Sequence, residues 1–125
     1  MIKAVVIDDE INNQELISNL LKSYAENIQV VGLADSVESA YKTIQEHQPD
    51  LIFLDVQMPD GTGYKILKKF EKINFKIIFV TAHQEFALEA FKYSALDYIL
   101  KPLSPANLLA AVKKAEENMV REELN

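Results

Sequence analysis

Six side chains in this sequence have the types and spacing to do chemistry together: Asp8, Asp9 and Glu10 near the start, Asp55 in the middle, then Thr81 and Lys101. Each follows directly on a short apolar run. Carboxylates brought close together repel one another unless protons or a cation intervene, and a metal ion is the economical solution. Mg²⁺ takes oxygen ligands in near-octahedral geometry and is commonly held by one or two carboxylates together with phosphate, which suits this inventory. Asp55 is then a candidate nucleophile, because an aspartate can accept a phosphoryl group as an acyl phosphate. The metal and a nearby cation would stabilise the charge spread over the equatorial oxygens during transfer. Lys101 can supply that cation on its long stem, and Thr81 a hydroxyl donor.

Those residues need elements that bring them to one place. Five apolar, β-branched runs predict strands over Lys3–Ile7, Gln29–Ala34, Leu51–Leu54, Lys76–Val80 and Leu96–Leu100. Runs that are apolar throughout suit strands buried on both faces of a parallel sheet. Helical periodicity lies between them, in Leu16, Ile17, Leu20, Leu21 and Tyr24, and again in Val37, Ala40, Tyr41 and Ile44. Ser36 is placed to cap the second helix and Pro49 to mark its exit, while Ser104 and Pro105 open a last helix carrying Leu108, Ala111, Val112, Ala115 and Met119. Alternating strands and helices predict βαβ units with right-handed crossovers, hence an α/β, doubly wound (βα)5 fold of the flavodoxin-like kind. Ligands in such sheets bind at the carboxyl ends of the strands, where the six residues would converge.

Composition narrows the classes. A chain of 125 residues, 49% of them hydrophobic, fits one domain, expected over residues 1–120, with 121–125 the start of a linker or a solvated helix end. There are no cysteines, so disulfides, thiolate metal sites and cysteine nucleophiles are excluded. The formal net charge of -6 argues against this segment gripping nucleic acid. His47 and His83 have no zinc-like spacing, and His47 reads as ordinary surface. No apolar run is long enough to span a bilayer, and acids stand where a signal peptide would be apolar, so a cytoplasmic location is expected, with no membrane partner.

Four segments then carry a resemblance: VVIDDE for the acidic pair, LIFLDVQMPDGTG around Asp55, IIFVTA for the threonine and DYILKP for the lysine. In this order, and over nearly the whole chain, they resemble the receiver domain of two-component response regulators, the partners of sensor histidine kinases. The resemblance implies a five-stranded parallel sheet of order 2-1-3-4-5, with Asp55 as phosphoacceptor. It implies Mg²⁺ ligated by Asp9, Asp55 and the backbone carbonyl of Gln57, with Asp8 helping through water. Thr81 would move toward the phosphoryl oxygens, and Tyr98 would turn from an exposed to a buried position in the space vacated. It also implies a cis peptide between Lys101 and Pro102, and an output surface formed by the fourth helix, fifth strand and fifth helix, often used to form homodimers.

The segment TAHQEFALEAFKYSALDYILKP is similar, more narrowly, to receivers of the LytR/AlgR (LytTR) transcriptional regulators. There the receiver precedes a DNA-binding domain that these residues lack, so an excised or stand-alone receiver is expected, with DNA contacted only through such a domain. The receiver resemblance also implies that Gln57 and His83, two residues beyond Asp55 and Thr81, stand where side chains of the family border the phosphoryl group and tune its lifetime. Phe91 is expected in the core, with Phe86 and Tyr93 available to a partner. Two other readings use the same residues: a phosphatase of the haloacid dehalogenase type, which would want a second aspartate where Gln57 stands, and an interaction module that never takes phosphate. Flavin binding is disfavoured because the first loop is acidic rather than phosphate-cradling.

Overall fold

The computed structural model describes residues 1–124. One parallel sheet contains β1 (Ile2–Ile7), β2 (Ile28–Ala34), β3 (Leu51–Leu54), β4 (Lys76–Thr81) and β5 (Asp97–Leu100), in the spatial order β2-β1-β3-β4-β5. The helices are α1 (Ile11–Tyr24), α2 (Val37–His47), α3 (Gly63–Lys68), α4 (Ala87–Ala90) and α5 (Pro105–Leu124). This is the expected doubly wound α/β architecture. The observed strand limits depart from the sequence reading by at most one residue at an end. Asn125, within the segment expected to begin a linker, lies outside the described residues.

The apolar strands are explained by burial on two faces. Successive side chains of a strand point to opposite sides, so Val5, Ile7, Ile52, Leu54, Ile77 and Phe79 enter one core cluster. Ala4, Val6, Leu51, Phe53, Ile78 and Val80 enter the other. The first cluster is completed by Val37, Ala40 and Ile44 of α2, Tyr64, Ile66 and Leu67 of α3, and Ala90 of α4. The second is completed by Ile17 and Leu21 of α1 and by Leu108, Ala111, Val112 and Ala115 of α5. Every residue of β3 is fully buried, which is why it reads as an unbroken apolar run.

Local signals set the helix ends. Ser36 caps α2, its hydroxyl accepting from the Ser39 N–H at 3.0 Å, and Ser39 reciprocates toward the Ser36 N–H. At the other end Gln48 takes a left-handed conformation at φ 46°, and Pro49 follows where no further helix is possible. Close packing of α2 on β2 needs Gly32: a Cβ there would lie 2.7 Å from Thr43 Cγ2 and 3.2 Å from His47 Cδ2. His47 is therefore half-buried against the sheet rather than plain surface.

Three apolar assignments change. Leu16 and Tyr24 of α1 are exposed, while Ile17 and Leu21 are buried as expected and are joined by Gln14. Phe91, expected in the core, is 77% exposed, whereas Phe86 and Tyr93 pack against it. The cause is the geometry of the fourth helix. It is a single α-turn between two 3₁₀ turns, Gln84–Phe86 and Phe91–Tyr93, so the 3.6-residue rule does not carry across it. Ala90 takes the core position next to Phe91, and Tyr93 stacks on Tyr64 with ring centroids 5.6 Å apart.

Candidate functional site at the carboxyl edge of the sheet

Hydrogen bonding of the sheet continues past the strand ends and fixes the residues that follow. The Asp8 N–H donates to the Ala34 carbonyl at 3.0 Å, the Asp55 N–H to the Ile7 carbonyl at 3.0 Å, and the Lys101 N–H to the Thr81 carbonyl at 2.9 Å. Asp8, Asp55, Thr81 and Lys101 are thereby carried on neighbouring strands to one edge. Asp8, Asp55 and Thr81 are buried, and Lys101 is half-buried.

The Lys101 ammonium sits between two of the acids, 2.8 Å from Asp8 Oδ2 and 2.7 Å from Asp55 Oδ2. Burial opposes its charge, but the hydrogen bonds and the negative charge of Asp55 and Asp8 outweigh that, so Lys101 titrates above the ordinary lysine range. The peptide from Lys101 to Pro102 is cis, as the resemblance implied. Asp8 Oδ1 accepts from the Glu10 N–H at 2.9 Å, and Asp55 Oδ1 from the Gln57 N–H at 3.3 Å. Each carboxylate has about four lone-pair sites, so both keep acceptor capacity.

Asp8, exposed Asp9 and Asp55 each offer a carboxylate oxygen within 4.8 Å of the others. Two like charges at that separation, as for buried Asp8 and Asp55, repel by about 3 kcal/mol at an effective dielectric constant of about 20. Three carboxylates and one ammonium leave two negative charges, the deficit that one divalent cation cancels. The donors are all hard oxygens, so the set fits Mg²⁺ rather than a thiophilic metal.

Thr81 is fully buried, and its Oγ1 accepts from the His83 N–H at 3.3 Å. Tyr98 is half-buried beside Phe79, ring centroids 5.5 Å apart, and its phenol donates to the His83 carbonyl. Burial, with the charges of Glu85 and Asp55, pushes the Tyr98 phenol up to about 12. One backbone unit, His83, thus contacts both Thr81 and Tyr98. The His83 imidazole is half-buried and lies 3.1 Å from Glu85 Oε1, and Gln57 is exposed.

Three residues near the site were missed from sequence. Gly63 lies so close to the Asp55 turn that a Cβ would come within 2.6 Å of the Asp55 carbonyl oxygen. Its spacing within LIFLDVQMPDGTG was the available signal. Asp60 reaches back to α2 and accepts from the Val37 and Glu38 N–H groups at 2.7 and 3.1 Å, an anion at a helix start. Those hydrogen bonds hold its carboxyl below the usual range. Gln14, on α1, is buried beneath the acidic loop, and only its place three residues before Ile17 hinted at that.

Comparison with known proteins shows the family and the fold. Residues 4–113 match the response regulator receiver domain family. The sensory transduction protein LytT of Bacillus anthracis is 37% identical over 116 residues, covering 91% of this chain and 47% of that protein. A response regulatory protein of Shewanella oneidensis is 33% identical over 126 residues, covering all of this chain and 53% of its own length. The chain therefore spans about half the length of these curated relatives. Among solved structures, the REC domain of AraT, a response regulator from Geobacillus stearothermophilus, superposes with a TM-score of 0.88 at 30% identity, covering 98% of each chain. The response regulatory domain of MrkE from Klebsiella pneumoniae gives 0.86 at 29% identity, covering 95% of this chain and 98% of that one. By sequence, fold and the arrangement of its acidic edge, the chain belongs to the response regulator receiver domains.

Proposed function

We propose that this receiver accepts a phosphoryl group on Asp55 in a Mg²⁺-dependent step, from a phosphohistidine of a sensor histidine kinase or from a small phosphodonor. The observation that carries the reading is the Lys101 ammonium, within 2.8 Å of both Asp8 and Asp55, with Asp9 completing a three-carboxylate cluster. An Asp55 carboxylate oxygen attacks phosphorus, the O–P bond forms as the P–N bond of phosphohistidine breaks, and the released imidazole takes up a proton from solvent. Asp8, Asp9, Asp55 and the Gln57 carbonyl are the groups that would hold the metal. Bound there, Mg²⁺ supplies charge neutralisation for the phosphoryl oxygens. Lys101 contributes a second positive charge and Thr81 a hydroxyl donor.

The consequence is a shift in population. Thr81 drawn to a phosphoryl oxygen would loosen its bond from the His83 N–H, and His83 in turn holds the Tyr98 phenol. This couples Asp55 to the surface of α4, β5 and α5, where Leu88, Phe91 and Leu100 are exposed. That surface is the place for a phosphorylation-dependent homodimer. The similarity to LytT supports an output in transcription through a LytTR-type DNA-binding domain in a longer protein, with Gln57 and His83 tuning the lifetime of the acyl phosphate. Among the described residues no helix is long and apolar enough to cross a membrane. Intact-mass spectrometry after incubation with acetyl phosphate tests the reading. A gain of one phosphoryl group that needs Mg²⁺ and vanishes in Asp55→Asn is expected. Equal labelling of Asp55→Asn would refute it.

A further inference from the structure

Among the described residues the buried polar side chains are Asp8, Gln14, Asp55 and Thr81. Three belong to the acid, nucleophile and hydroxyl roles above, and Gln14 has had none. An amide placed in a core without partners is costly, but Gln14 is partnered. Its Nε2 donates to the Asp8 carbonyl at 2.8 Å and to the Ala34 carbonyl at 3.2 Å, which accounts for both N–H bonds of the amide. The second acceptor is also the carbonyl that receives the Asp8 N–H. Gln14 thus ties the carboxyl ends of β1 and β2 together from the helix beneath.

The Asp8 carbonyl belongs to the peptide that joins Asp8 to Asp9. Asp8 is independently held by its own N–H, by Glu10 on Oδ1 and by Lys101 on Oδ2. Asp9 is exposed, so the aim of its carboxylate depends on the orientation of that peptide. We infer that Gln14 is a positioning residue for the acidic cluster: by clamping the Asp8–Asp9 peptide it aims Asp9 at the cation shared with Asp8 and Asp55. The inference rests on the reading of those three acids as the Mg²⁺ site.

The test is a calorimetric titration of MgCl₂ into the wild-type chain, Gln14→Met and Ile17→Val. Gln14→Met keeps the length and loses both donors, whereas Ile17→Val trims a buried side chain of the same helix. Loss of a group that orients a metal ligand weakens affinity by about 10–100-fold. Gln14→Met is expected to raise the Mg²⁺ Kd by about tenfold or more, while Ile17→Val lowers the melting temperature and leaves Kd unchanged. In metal-free protein, the Asp9 amide of Gln14→Met is expected to shift in the ¹H–¹⁵N spectrum and to exchange faster with solvent. Should Gln14→Met fail to fold, Gln14→Asn carries the same test, since it keeps the amide but cannot span to both carbonyls. An unchanged Kd with an unchanged Asp9 resonance would overturn the inference. No magnesium uptake by the wild-type chain would sink the metal-site reading itself, and the inference with it.

Discussion

The carboxyl edge of the sheet and the segment from His83 to Tyr93 are neighbours built on opposite principles. At the edge, Asp8, Asp55, Thr81 and Lys101 sit on strand ends whose main-chain ladder continues past them, and the Lys101 ammonium bridges the Asp8 and Asp55 carboxylates. The segment has one α-helical turn, and its main chain is held by three described side chains: the Thr81 hydroxyl accepts from the His83 N–H at 3.3 Å, Tyr64 donates to the Phe86 carbonyl at 2.7 Å, and Tyr98 donates to the His83 carbonyl. The contrast teaches how a small domain can fix one group of polar side chains firmly while leaving a neighbouring segment lightly fastened. The edge is specified by a ladder many residues long, whereas the segment is fastened at a few points.

The largest expected effect separates the two regions by stability. Phe53, fully buried in β3, should cost about 3–5 kcal/mol when changed to Ala. Phe91→Ala in the other region should stay within about 0.5 kcal/mol. Denaturant unfolding of both variants measures this, and equal losses would mean that the segment is as firmly built as the edge.

Next in size is Lys101→Met. Removing the ammonium leaves Asp8 and Asp55 buried without their shared cation, at a cost of about 2 kcal/mol, below the value for a fully buried pair because Lys101 is partly solvated. Thermal unfolding with and without MgCl₂ should show the loss and its recovery by Mg²⁺, along with a tighter Mg²⁺ Kd than in the wild-type chain. A loss that Mg²⁺ does not repair would separate Lys101 from the acids proposed to hold the metal.

The smallest effect concerns pH. The Tyr98 phenol is raised from its ordinary value near 10 to about 12, so folding favours its neutral form. Its contribution is complete below about pH 10 and is lost as pH rises through about 12. Tyr98→Phe should therefore flatten the alkaline limb of a stability–pH curve. An identical limb in the variant would place the phenol outside the folded core.

How much of this could be read from the residues follows the same division. Strand ends were legible because an apolar run buried on both faces stops where a polar residue begins, and Asp8, Asp55, Thr81 and Lys101 stand at those stops. Helix faces were less so: Leu16 and Tyr24 fitted the apolar period of α1 yet are exposed, and the buried stripe takes in Gln14, a polar side chain whose amide is satisfied there by two carbonyls. Phe91 was misplaced because a lone turn between 3₁₀ turns has no lasting period. Asp60 acts across a contact with α2, and a tertiary partner of that kind leaves no local pattern, whereas Gly63 packs on the Asp55 carbonyl within a single motif, where its spacing was the available signal.

The claim on which the rest depends is that Asp8, Asp9 and Asp55 form one divalent-cation site. A magnesium titration followed by calorimetry addresses it most directly: one ion per chain is expected, with binding strongly weakened in Asp9→Asn. Absence of any saturable uptake, or affinity indifferent to Asp9, would contradict it.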